Sequence, residues 1–116
     1  MTAATFRRLA LDLPEAVESA HMNHPDFRVG GKIFATLGAP SKGWAMVKLP
    51  PAAQARLLAA APAIFVPAAG AWGRGGATLV KLRAADPTLL RHALRVAWRE
   101  RAPAAVVEAA DAIDAG

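Results

Sequence analysis

Cysteine and tyrosine are both absent from this chain of 116 residues. Without cysteine there is no disulfide, no thiolate nucleophile, and no Cys-ligated zinc or iron–sulfur site. Serine occurs only as Ser19 and Ser41, and neither stands in a Gly-x-Ser-x-Gly elbow. Acyl-transfer chemistry therefore lacks a nucleophile in a recognisable setting. Near Met1 the chain carries Arg7, Arg8 and Asp12 and has no apolar run of signal-peptide length, so no secretion signal is expected. The longest uncharged stretch, residues 57–73, is cut by Pro62 and Pro67 and is too short and Ala-rich to span a bilayer. The expectation is one cytoplasmic domain that is not an enzyme, with no catalytic residue, no metal and no cofactor. A chain of this length can bury roughly two-thirds of its unfolded surface without a staple.

Charge of one sign is also missing from one end. Residues 103–116 hold Glu108, Asp111 and Asp114 and no base, a balance of −3. Residues 1–102 hold all 14 Lys and Arg against six acids, a balance of +8. The whole chain is +5 with a pI of about 10.8. A body this basic steers polyanions toward itself.

The periodicity predicts an amphipathic helix over residues 4–13, with Phe6, Leu9, Ala10 and Leu13 on one stripe and Pro14 as its stop. A strand-rich middle follows. Residues 16–22 form a weak first strand, and residues 27–29 and 32–37 flank the hairpin signal Gly30-Gly31. Residues 44–49 make a further strand. Residues 51–61 have helix chemistry, 64–66 are extended, 70–76 form a glycine-rich hairpin loop, and 77–82 are a strand. A helix begins at Asp86-Pro87, buries Leu90, Leu94, Ala97 and Trp98, and stops at Pro103. Residues 104–116 form an acidic tail, either frayed or a short helix. These elements predict a single-domain α+β fold, a mostly antiparallel sheet with helices packed on one face.

Strand alternation sorts the side chains. Ile33, Ala35 and Leu37, then Ala45, Val47 and Leu49, then Thr78, Val80 and Leu82 fall on the helix-packed face. The opposite face collects Phe34 and Thr36, then Trp44, Met46 and Lys48, then Leu79, Lys81 and Arg83. Cations beside flat or soft groups suit a phosphate backbone with a stacked ring. A loop or the acidic tail covering that face, with lysines snorkelling past it, is the structural alternative. Arg28 faces the helices if Gly30-Gly31 makes a two-residue turn, and faces outward if a three-residue loop with a bulge forms.

Four local patterns bear on chemistry. In the run 70–76, the glycines open the backbone, Arg74 offers a phosphate fork and Trp72 a stacking plane, but it is neither a Walker loop nor a dinucleotide fingerprint. Arg91, Arg95 and Arg99 form a basic ridge whose plain reading is a solvated face, with the tail acids as candidate partners. His21, His24 and Asp26 have metal-ligand chemistry but no defined zinc spacing and no fourth ligand, so a structural role is expected. Glu15 and Glu18 could pair as acids, but nothing isolates them from water.

Several blocks together resemble a known family. They are Leu13-Pro14-Glu15-Ala16, His21, the run Phe27-Arg28-Val29-Gly30-Gly31-Lys32-Ile33-Phe34-Ala35, Lys48-Leu49, Pro67 and Gly70-Ala71-Trp72-Gly73. The chain resembles the MmcQ/YjbR family over roughly residues 4–103. The resemblance implies a CyaY-like fold, that of bacterial frataxin, with two hairpins likened to a double wing for DNA. It brings no catalytic residues. Frataxin's iron chemistry does not carry over, because Asp12 is the one acid of the first helix and the body is basic. The expected partner is nucleic acid, DNA above all, bound with low sequence specificity. Lys32 and Arg74 would sit at the hairpin tips, Lys42, Lys48 and Lys81 would meet phosphates, and Trp44 or Trp72 would stack. The alternative is a small-molecule or protein-binding module using Phe34, Trp44, Met46 and Leu79.

Overall fold

The computed structural model describes residues 1–115. Helix α1 (Ala3–Leu11) starts where the Thr2 hydroxyl accepts from the Thr5 amide, and it buries Phe6, Leu9 and Ala10. It ends two residues before the expected stop, because the chain turns at Asp12 and Leu13 ahead of Pro14. Strands β1 (Val17–His21), β2 (His24–Val29), β3 (Lys32–Leu37), β4 (Trp44–Lys48), β5 (Phe65–Pro67) and β6 (Ala77–Lys81) form one sheet in the order β1-β2-β3-β4-β6-β5. Every pairing is antiparallel. Helix α2 (Pro51–Ala60) follows β4, α3 (Gly70–Arg74) lies between β5 and β6, and α4 (Pro87–Arg101) and α5 (Ala104–Ala115) close the chain. The fold is α+β.

One face of the sheet carries the main core. Phe27 and Val29 from β2, Ala45 and Val47 from β4, and Val80 from β6 meet Phe6 of α1 and Leu90, Leu94 and Trp98 of α4 there. The buried Trp98 indole donates to the Pro14 carbonyl at 2.9 Å, tying α4 to the end of the first helical segment. Aspartate 86 caps α4 by accepting from the Leu89 amide at 2.9 Å, as the Asp-Pro pair predicts.

Simple alternation fails in β3. Phe27 pairs with Ala35, yet the next residue, Arg28, pairs with Ile33, so Phe34 is an extra residue in the ladder. At such a bulge two neighbouring side chains share one side. Phe34 and Ala35 are both buried in the helix-side core, while Ile33 is half-exposed on the other face with Thr36. This corrects the expectation for Phe34 and Ile33, which exchange faces. It also settles Arg28. The turn at Gly30-Gly31 has two residues and pairs Arg28 with Ile33, but the bulge has moved Ile33, so Arg28 faces away from the helices.

The acidic end is a helix, not a frayed tail. Helix α5 buries Ala110 and lays two of its three acids on α4, where Asp111 accepts two bonds from Arg99, at 2.6 and 3.1 Å, and Asp114 accepts from Arg95. Its charges therefore meet the arginine ridge and leave the opposite sheet face uncovered by them.

Two substitutions test the bulge. Phe34→Ala should cost about 3–5 kcal/mol of unfolding free energy, and Ile33→Ala much less. Urea denaturation of both variants checks the order, which unbroken alternation would reverse.

Candidate nucleic-acid interface

The face opposite the main core is built from cross-strand rows. One row runs Ser19, Asp26, Thr36, Met46, Leu79 and Val66 across all six strands. Beside it, Trp44 pairs with Lys81, and its ring lies 5.7 Å from the Lys81 ammonium. At the other end of β4, Lys48 donates to the Gly75 carbonyl at 3.3 Å. Met46, Ala68 and Ala77 make a small buried cluster between the two ends, with Leu79 packed on it.

The glycine-rich run is not a flexible loop. Residues 70–74 form the one-turn helix α3, capped where the Gly75 amide donates back to Ala71 and Trp72 carbonyls. Two positions require glycine. A Cβ on Gly73 would lie 1.7 Å from the Ala68 carbonyl oxygen, and one on Gly76, at φ +112°, would lie 1.8 Å from the Leu49 carbonyl oxygen. Buried Gln54 of α2 locks the segment. Its amide nitrogen donates to the Gly73 carbonyl at 3.0 Å, the Thr78 hydroxyl at 3.1 Å and the Ala77 carbonyl at 3.3 Å. The Thr78 hydroxyl donates on to the Gly76 carbonyl at 2.9 Å. This holds Trp72 in place, 54 % exposed, over the end of the open face.

The expected site residues thus fall into two groups. Lys42, Trp44, Lys81 and Arg83 line one open depression of about 620 Å³. Lys48 and Trp72 line another of about 200 Å³, and exposed Arg74 ends the helix that carries Trp72. Lys32 joins neither. It is exposed, but its pairing with Val29 puts it on the helix side, and the turn before it packs with Gly30 against Pro103. Arg74 sits at the end of a helical turn and not at a bare hairpin tip. Phe34 and Met46, expected as an accessible apolar surface, are buried, which leaves Trp44 and Leu79 half-exposed.

The His-Asp cluster is an ion-pair network. The two-residue turn Met22-Asn23, both at positive φ, brings His21 opposite His24. Asp26 is fully buried and accepts from Arg28 through Nε at 2.8 Å and Nη2 at 3.0 Å, and from His21 Nδ1 at 2.8 Å. A carboxylate only accepts, so Nδ1 carries the proton and Nε2 faces elsewhere. The Arg28 guanidinium, with help from His21, holds the Asp26 carboxyl below its ordinary range despite burial. No group of three or more His, Asp or Glu able to hold a metal occurs among the described residues. Glu18 bonds to Arg7 at 2.9 Å on the helix side, so Glu15 and Glu18 do not act as a pair.

Thr36 lies on the face that alternation gives it, whereas Gln54, which braces α3 from α2, and Arg101 were not among the expected site residues. Gln54 did leave a trace, as the one uncharged polar residue of α2, next to Ala53 in an otherwise apolar run broken only by Arg56. Arg101 left none, because only the packed fold brings the end of α4 round to the 200 Å³ depression.

Comparison with known proteins agrees with this architecture. The family model YjbR matches residues 11–100. The crystal structure of Deinococcus radiodurans protein DR2400, described with a DUF419 domain, is similar in fold at a TM-score of 0.70 and 20 % identity. The match covers 84 % of this chain and 75 % of that one. No curated protein matches. No helix among the described residues is long and apolar enough to cross a membrane.

Two measurements test these contacts. Asp26→Asn should cost about 1–3 kcal/mol at neutral pH, because bonds to a buried charge are lost. The folded carboxyl is held below its unfolded value, so the unfolded chain binds the extra proton first. The wild-type advantage over the variant is then full above about pH 5 and shrinks as pH falls through about 4 and below. Paired melting curves across pH check this, and an advantage that grows toward acid would refute it. Separately, Gln54→Leu should cost about 1–3 kcal/mol by stranding buried acceptors, and should raise acrylamide quenching of Trp72.

Proposed function

The chain belongs to the YjbR family, and we propose that this member is a cytoplasmic, non-catalytic nucleic-acid-binding domain of low sequence specificity. The observation that carries the reading is the pairing of cation with aromatic ring at both ends of β4 on one face. Trp44 with Lys42 and Lys81 forms one station, and Trp72 with Lys48 the other, with exposed Arg74 at the end of the same short helix as Trp72. Lys48 lies four residue steps along the strand from Trp44, roughly 13 Å at about 3.3 Å per residue. A short oligonucleotide reaches both stations. Each stacked base is worth about 1–3 kcal/mol, and each phosphate contact adds a salt-dependent term. The stations offer cations and rings and few base-reading amides, hence the low specificity. Asp26 is the one carboxylate in the strand rows of this face, and it is already bonded to Arg28 and His21. The double-wing image is modified in this reading: Arg74 contributes, and Lys32 adds only long-range charge.

Fluorescence anisotropy with labelled single-stranded and duplex DNA, between about 50 and 200 mM salt, tests the proposal. Contacts by Lys42, Lys48, Lys81 and Arg74 predict a log–log slope of about −3 for single strands and up to about −4 for duplex. Lys81→Ala should flatten the slope by about one, and Trp44→Ala should weaken single-strand binding roughly ten- to hundredfold. Arg74→Ala should weaken binding too. Absence of binding at about 50 mM salt, or binding that heparin matches and both tryptophan replacements leave intact, refutes the reading.

A further inference from the structure

The smaller depression contains polar atoms that the fold leaves unsatisfied. Thr36 is 2 % exposed, and its hydroxyl has no hydrogen-bond partner among the described residues. Arg101 Nε is likewise buried without one. Both residues line the same depression of about 200 Å³, together with Lys48, His21 and Trp72. An unpaired buried polar atom is costly, so two at one place mark where a polar group from outside would be stabilised. The lining supplies two cations and no carboxylate. His21 is anchored through Nδ1 to Asp26, which leaves Nε2 as its free polar atom. The floor is Ile33 and Met46, and Trp72 stands at the rim with its ring half in solvent. The volume is smaller than that of a site enclosing a whole drug-sized ligand, so it fits a head group whose remainder lies outside against Trp72.

From this geometry we infer that the depression binds a phosphate monoester carried on a flat ring, as in a nucleoside 5′-monophosphate. The guanidinium of Arg101 and the ammonium of Lys48 meet the phosphate oxygens, the Thr36 hydroxyl donates to one of them, and Trp72 stacks on the ring. The inference stands on Thr36 and Arg101, which the nucleic-acid reading does not use. The same chemistry is presented by a free mononucleotide and by the 5′-phosphorylated end of a strand.

Isothermal titration of the full chain with AMP, adenosine and inorganic phosphate tests it, beside oligonucleotides with a 5′-phosphate or a 5′-hydroxyl. AMP should bind at least about tenfold more tightly than adenosine, since the phosphate makes the charge-assisted bonds. Arg101→Gln should remove most of that preference. Thr36→Val, near in shape, should reduce it several-fold with the melting temperature held. A 5′-phosphate that tightens oligonucleotide binding supports the strand end as the source, and AMP binding with indifferent oligonucleotides supports the free nucleotide. Equal affinity for AMP and adenosine, or no heat with AMP, overturns the inference even where oligonucleotides bind. Conversely, AMP binding without any oligonucleotide binding overturns the proposed nucleic-acid function and leaves this site standing.

Discussion

A single extra residue in β3 governs how this molecule divides its surfaces. The bulge places Phe34 and Ala35 side by side toward the helices and turns Ile33 to the other face. Phe34 then fills the core with Phe27 and Val29, where α1 and α4 close over the sheet. On the far side Ile33 faces out beside Arg28, which shares that face with Asp26 through the alternation of β2 itself and bonds to it there. Continued alternation through Ala35 and Leu37 would have set the large Phe34 ring on the open face beside Arg28 and Asp26. The composition of the open face, cations and rings around Thr36 and Met46, is thus a consequence of a local backbone irregularity.

A second constraint positions the aromatic at the rim. Helix α3 has five residues, too few to be stable on its own. It persists because Gln54 spans from α2 to three acceptors around it, and because Gly73 and Gly76 let two backbone segments approach to distances no Cβ allows. Trp72 is therefore held by the helix-side scaffold while its ring serves the other face. Bonds of this kind from a neighbouring helix fix where the ring stands, which a side chain on an unsupported turn lacks.

The global pattern was legible in the sequence, and the local inversions were not. Alternation assigned Ala45, Val47, Val80 and Leu82 correctly to the core, and the Asp86-Pro87 pair marked the start of α4. Two-residue periodicity cannot see a bulge, because the extra residue shifts the phase without changing composition. Phe34 and Ile33 were misplaced for that reason. Glycine spacing at residues 70–76 was compatible with a hairpin loop and with a helical turn, and a distant amide on Gln54 decided between them. Of the residues expected at the site, Trp44, Lys48, Lys81 and Trp72 line the depressions of the open face, with Lys42 at its edge and exposed Arg74 at the end of α3. Lys32 does not, since register, unlike tip position, controls which side a turn residue serves. Alternation set Thr36 on the open face, but Arg101 became visible only when tertiary packing brought the end of α4 to the sheet.

Charge pairing completes the division of labour between the two sides of the molecule. The carboxylates that find arginines do so away from the central open face or at its β1–β2 end: Glu18 on Arg7, Asp26 on Arg28, Asp111 on Arg99 and Asp114 on Arg95. Helix α5 brings the last two, so the acidic end of the chain neutralises the ridge on α4 and not the sheet. Among the described residues, no ion pair involves Lys42, Lys48, Lys81, Arg74, Arg83 or Arg101. An exposed pair contributes little to stability, but it does cancel the local field. The cations around β4, where the two tryptophans stand, therefore keep their field, as do Arg8, Lys32, Arg56 and Arg91 elsewhere on the body. Had α5 docked across the sheet instead, the same sequence and net charge would have hidden that field, so where Asp111 and Asp114 lie matters more to the open face than the overall excess of base.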